Sequence, residues 1–224
     1  MKKPERCGEI SFLLGVLTLA LGTALMSRAG FGMSMVVAPA YVLAAWIKVI
    51  PAGSMCYIYQ GFLIAVTSLM MRRFCVTYLF SLLSAVLFGV FVDLFGLALA
   101  PIGDPSLPLR LVLEVLGIPI NALGVALLFH TYFPPQAPEL FVKELSRKTG
   151  WKLYLVKYAY DFCSCILSIA MSFLLLGHWE WSILGLGTLV VTAVNGPLIA
   201  LWGKLLDRIA VYSPAIPKLG ALFE

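Results

Sequence analysis

The chain has 224 residues, of which 61% are hydrophobic and 12% charged, with a mean hydropathy of +0.97. A soluble domain carries roughly 45–50% apolar and about 25% charged residues, so the surplus apolar surface must face lipid and most soluble enzymes are excluded. At about 20 apolar residues per crossing the length holds about six spans in one membrane domain, 1–224, and the net charge of +5 is scattered between apolar runs, not gathered in a patch for nucleic acid.

In chain order, Met1-Lys2-Lys3-Pro4-Glu5-Arg6 and the apolar run behind it imitate a signal peptide. The run reaches Met26 without a small-x-small cleavage site, which predicts an uncleaved first span. Continuous apolar runs predict spans near 11–27, 54–71, 76–98, 110–131, 154–177 and 182–203. Met33 to Ile50 is also apolar but contains Pro39 and Lys48, and reads as re-entrant, interfacial or a seventh span. Pro138 to Lys152, with Glu139, Lys143, Glu144, Arg147, Lys148 and Lys152, reads as an amphipathic surface helix.

With six spans, Lys2, Lys3, Arg6, Arg72, Arg73, Lys143, Arg147, Lys148, Lys152, Lys204 and Arg208 share one face, and only Arg28, Lys48 and Arg110 lie opposite. That bias predicts cytoplasmic termini and argues against a seventh span. Cys7, Cys56, Cys75, Cys163 and Cys165 match no metal spacing and read as structural.

An internal repeat organises the chain. Leu14-Gly15-Val16 and Ala20-Leu21-Gly22-Thr23-Ala24-Leu25 recur 102 residues later as Leu116-Gly117-Ile118 and Ala122-Leu123-Gly124-Val125-Ala126-Leu127. Ala38-Pro39 recurs as Ala137-Pro138, Tyr57-Ile58-Tyr59-Gln60 as Tyr158-Ala159-Tyr160-Asp161, and Gly89 with Phe95-Gly96 as Gly196 with Trp202-Gly203, at offsets from 99 to 107. Three spans per repeat is an odd number, so the halves must enter the membrane in opposite senses, as in many secondary transporters.

Leu21-Gly22-Thr23-Ala24-Leu25, Arg28-Ala29-Gly30-Phe31-Gly32, Gly89-Val90-Phe91-Val92-Asp93-Leu94, Glu144 to Gly150, Gly185-Leu186-Gly187-Thr188 and Gly196-Pro197-Leu198-Ile199 resemble the YczE/YitT group of small bacterial integral membrane proteins, in its YczE-like branch. The resemblance implies a bacterial inner-membrane protein and names no substrate or reaction. Where members of that group often carry a polar or tryptophan-containing turn, this chain has Ser34-Met35-Val36-Val37.

Ionisable residues inside spans are costly and mark candidate sites. Arg28, Gln60 and Asp93 group toward the outer side, and His130, Asp161 and Asn195 toward the inner side, as two clusters flanking a cavity. Asp161 is the leading proton-coupling candidate, since a buried carboxyl can exchange a proton near neutral pH. The competing readings are an Asp93–Arg28 ion pair and an Asp161–Lys157 pair one helical turn apart. Tyr57, Tyr59, Tyr158 and Tyr160 could cage an organic cation or serve as interfacial anchors. Gly30 and Gly32 could present amides to an anion with Ser34 capping the next helix. Gly15, Gly22, Gly117 and Gly124 read as close helix approaches, Asn195-Gly196-Pro197 as a break or kink in the sixth span, and Glu180 between Trp179 and Trp181 as an interfacial belt.

The expected fold is an all-α membrane protein with six transmembrane helices, arranged as a 3+3 inverted-topology repeat (about 11–98 and 110–206) with a re-entrant or interfacial helix after spans 1 and 4. The expected function is a small-molecule secondary transporter or permease of the bacterial inner membrane. The alternative is a non-transporting accessory, regulatory or substrate-binding subunit of a larger uptake complex, docked through 138–152. The bilayer, an unidentified small molecule and a second copy of the chain are the expected partners; no nucleic acid, metal or cofactor is expected. Enzyme motifs are missing from the sequence, so no enzymatic activity is expected.

Overall fold

In a bilayer every backbone N–H and C=O must be satisfied within its own segment, so long apolar runs fold as helices. The computed structural model describes residues 5–72, 74, 76–131, 133, 134, 136–209 and 211–213, without the side chains of 5–7, 76, 77, 153, 154, 158 and 211–213. Lys2, Lys3, Arg73 and Cys75, and the side chains of Arg6, Cys7 and Tyr158, lie outside the described residues. Six helices are long and apolar enough to span a membrane: α1 (Gly8–Ala29), α3 (Ala52–Met71), α4 (Val76–Leu99), α5 (Leu107–Phe129), α7 (Leu153–Met171, continued by a π-turn at Ser172–Leu176) and α8 (Leu186–Ile209). Between them lie α2 (Ala38–Ile47), a 3-10 turn at Ala100–Ile102 and α6 (Ala137–Thr149), and two short strands, β1 (Glu5–Cys7) and β2 (Val211–Ser213), flank the helices. The strands pair in parallel, with Glu5 opposite Val211, so α1 starts and α8 ends at one face, called here the terminal face.

The order long, short, long, long therefore occurs twice. With 10 and 13 residues, α2 and α6 reach only about 15 and 20 Å, well short of a hydrocarbon core of about 30 Å. Residues 33–50 are thus not a seventh span. Both short helices have proline in the first turn, Pro39 and Pro138, where a missing N–H costs nothing. Each starts buried (Ala38 and Tyr41; Ala137 and Leu140) and ends exposed (Trp46 and Lys48; Lys148 and Thr149). Just before α2, Val36 packs on a cluster holding Leu63 and Ile64 of α3 and Leu140 of α6.

The two most buried spans, α1 and α5, cross through glycine. A Cβ on Gly22 would lie 2.7 Å from Asn121 Cα, and one on Gly124 would lie 2.6 Å from Leu19 Cα. Gly15 meets Leu128, and Gly117 meets Met26. Each step forward along α1 is a step back along α5, so the helices run antiparallel. Leu19 and Asn121, and Met26 and Leu128, are separated by the same 102 residues as the glycines they touch.

Residues 181–185 are turns, so the sixth span starts at Leu186, later than the apolar run predicts. Ile183 and Leu184 are buried as loop residues in the core, which is why a hydropathy run includes them. Of the break or kink expected at Asn195-Gly196-Pro197, no break occurs: α8 runs through Pro197 as one helix. Among the spans it is α7 that departs from α-helical geometry, at its π-turn.

Candidate functional site

A cavity of about 1070 Å³ lies among α1, α4, α5, α6, α7, α8 and the turn before α2. Its mouth, at the terminal face, carries Glu139, Lys143, Glu144 and Arg147 of α6 with Lys157 and Asp161 of α7. Deeper in the wall stand Thr23, Asn121 and Asn195, among apolar residues such as Val36, Phe88 and Val191. Asn121 Nδ2 donates to Thr23 Oγ1 at 3.1 Å, while Asn195 Oδ1 is buried without a hydrogen-bond partner. Among the described residues α7 and α8 scarcely touch, and Gly196 has open space where a Cβ would be. By contrast, a Cβ on either Gly53 of α3 or Gly89 of α4 would strike the other's backbone. One helix pair is shut and the other parted, and the cavity occupies the gap.

Asp161 and Asn195 meet in this cavity, as their grouping predicts. Lys157 Nζ lies 3.0 Å from Asp161 Oδ1, although the angle is too poor for a hydrogen bond, and 3.9 Å from Glu139 Oε1. The ion pair one turn apart is therefore formed. His130 lies apart from the cavity wall: its Nε2 is 3.0 Å from Asp207 Oδ1 and ties α5 to α8.

The other expected cluster does not assemble. Asp93 binds neither Arg28 nor a cavity: its Oδ1 accepts Gly53 N–H at 2.7 Å, and its Oδ2 accepts Ser54 N–H at 2.8 Å and Ser54 Oγ–H at 2.7 Å. It caps the first turn of α3, whose own cap position, Pro51, has no side-chain acceptor. Arg28 Nη2 reaches the carbonyl of Ala100 at 3.5 Å. Gln60 is buried in α3, off the cavity wall, with an unpartnered Oε1.

The tyrosine cage is not built among the described residues. Tyr57 packs against Gly89, whereas Tyr160 lies beside Tyr59, Ser164 and Phe141 with Lys157 Nζ 5.6 Å from its ring centre. The chain's own lysine occupies that aromatic face.

The glycine turn after α1 also has the opposite polarity from the one expected. Gly30 and Gly32 have φ of 67° and 116°, where a side chain would be strained. Arg110 donates its Nε to Ala29 O at 2.6 Å and its Nη2 to Gly30 O at 2.8 Å. A helix C-terminus presents carbonyls and a partial negative charge, so this turn holds a cation of its own chain. Ser34 gives no side-chain cap to α2; its backbone carbonyl accepts the amides of Val37 and Ala38.

At the opposite face, Trp179 Nε1 donates to Leu184 O at 2.9 Å and only Trp181 is largely exposed, so the expected belt is half fold and half surface. The hydroxyl and amide of Ser182 hold Glu180 below the usual carboxylate range.

Sequence reasoning missed Glu139, Lys143 and Glu144 as cavity residues, because it treated 138–152 as a surface helix, and it missed Gln136 just before that helix. It also missed Glu114, buried in α5, although an ionisable residue inside an apolar run is the signal that Asp93 and Asp161 gave. Burial pushes the Glu139 carboxyl up, against the pull of Lys157. A carboxyl raised in the folded state stabilises the protein below its ordinary pKa of about 4.3, and that contribution is lost as pH rises through the folded value. The thermal midpoint of Glu139→Gln should therefore match wild type near pH 4 and gain on it toward neutral pH; a constant difference across that range would contradict the assignment.

Six spans, two half-length helices and a large cavity with polar residues in its wall are those of a multi-pass membrane protein. Residues 7–204 match the model of a family described as Family of unknown function (DUF6198), and the chain belongs to that family. No curated protein and no solved structure matches it.

Proposed function

We propose that the protein is a secondary transporter, or permease, for a small molecule, built as a 3+3 inverted repeat of the YczE/YitT type. In this reading α2 and α6 are re-entrant half-helices, the terminal face is cytoplasmic in a bacterial inner membrane, and no reaction is catalysed. The 102-residue offset supports the repeat, because it carries each glycine contact between α1 and α5 onto another.

The observation that carries the transport reading is a second cavity. It measures about 290 Å³ at the opposite face and is lined by Ser27, Tyr41, Ala44 and Ala45. Offsets of 102 and 99 turn these into Phe129, Leu140, Lys143 and Glu144, which line the large cavity. A wide cavity at one face and its narrow counterpart at the other is the asymmetry expected of a carrier caught open to one side. The other state would part α3 from α4 at Gly53 and Gly89 and bring α7 against α8.

The test is a thermal-shift screen of purified protein against amino acids, nucleosides, vitamins and organic ions, followed by uptake of each hit into liposomes. The expected result is a hit whose stabilisation and uptake are both lost in Asn195→Leu. Hits that bind Asn195→Leu equally well would remove the cavity from the reading. The exposed cationic side of α6, with Lys143, Arg147 and Lys148, keeps the accessory-subunit reading in view. Co-purification with an ATPase, with no uptake by the protein alone, would favour it.

A further inference from the structure

Glu114 stands on α5 about 10 Å along the helix from Leu107. It is 6% exposed, and neither of its carboxyl oxygens has a hydrogen-bond partner. Above it two loops are knitted together at the face opposite the termini. Gly187 N–H donates to Phe31 O at 2.7 Å, and Met33 N–H donates to Ile183 O at 3.1 Å and Thr188 Oγ1 at 3.2 Å. A Cβ on Gly187 would lie 2.6 Å from Glu114 Oε1, so the carboxyl lies directly beneath the first turn of α8.

Among the described residues no cation pairs with it. Arg110, one turn earlier on α5, directs its Nε and Nη2 to Ala29 and Gly30 and lies over the Phe31 ring at 4.7 Å. From α1, Arg28 reaches Ala100. In the loop before α8, His178 and Glu180 face each other at 3.3 Å, and residues 30–33 and 183–188 include no titratable side chain. At the repeat-related place on α1, 102 residues earlier, stands Phe12, packed on Phe133 at 4.6 Å. The repeat thus places an aromatic ring at the terminal face where the opposite face has an acid.

We propose that Glu114 is a proton-binding site that controls this seal. With the loops closed no described side chain or backbone group donates to the carboxyl, and a buried unpaired charge is far costlier than a neutral acid. Opening the loops admits water; the O–H bond of the carboxyl then breaks, its proton passes to water, and the carboxylate is hydrated. Each opening releases one proton, so the closed seal is favoured by acid and weakened by base. The assignment needs no substrate and does not depend on transport.

Hydrogen–deuterium exchange of the 29–33 and 183–188 segments tests it on full-length protein in nanodiscs. In wild type, from the pH at which a hydrated glutamate ionises up to the pH at which the closed-state carboxyl does, the opening equilibrium should rise about tenfold per pH unit beyond the intrinsic exchange chemistry, as one linked proton requires. Glu114→Gln should abolish that dependence and Glu114→Asp should keep it; equal dependence in wild type and Glu114→Gln overturns the proposal. Infrared titration of wild type and Glu114→Gln, each carrying carbon-13-labelled glutamate, provides a second check. A glutamic-acid carbonyl band present in wild type, missing in Glu114→Gln and fading as the segments open supports the proposal; identical bands in the two proteins overturn it.

Discussion

Asp93→Ala is expected to destabilise the protein by about 3 kcal/mol, read as the loss in reversible unfolding in mixed micelles. The carboxylate takes three donors at the start of α3, from Gly53 N, Ser54 N and Ser54 Oγ. Alanine leaves two backbone N–H groups of a first helical turn without their side-chain acceptor. Ser54→Ala removes one of the three bonds and should cost about 1 kcal/mol. Arg28→Ala should leave the α3 cap unchanged, since Arg28 points to Ala100. If Arg28→Ala and Asp93→Ala weakened the protein equally, the ion-pair reading would return.

The second large effect is at the crossing of α1 and α5. Gly22→Ala and Gly124→Ala each set a methyl group against the facing backbone, at Asn121 and Leu19. Neither backbone can yield without parting the helices, so each should cost about 3 kcal/mol, the upper range for overpacking, and leucine at either place should prevent folding. Gly196→Ala is the contrast. Its Cβ would meet nothing, so the change should be neutral or stabilise by up to about 1 kcal/mol through helix propensity. Loss of folding in Gly196→Ala would mean that α8 packs far more tightly against its neighbours than its open surroundings imply.

Much of this architecture is legible in the amino-acid string because the bilayer imposes a simple rule. Any run of about 20 apolar residues must become a helix, and all six such runs do. Gly22 and Gly124 could be read as contact points, since small residues in spans mark close approach. The pair of Lys157 and Asp161 was equally open to reading, because it depends only on helical spacing.

What lay beyond the sequence concerns partners distant in the chain. Asp93, read as a companion of Arg28, has its acceptors filled by amides 39 and 40 residues earlier, and no local pattern encodes that choice. Gly30 and Gly32 suggested an anion site, but the carbonyls of the α1 terminus face Arg110, 80 residues on. Pro197 implied a break or kink, and α8 runs through it unbroken. The sequence by itself determined how many helices there are, their order and the faces at which charge gathers, because hydropathy and charge act on each segment separately. Only the tertiary structure decided which helix pairs close and which part, since packing between distant segments alone shuts Gly53 onto Gly89 while leaving Gly196 facing a cavity.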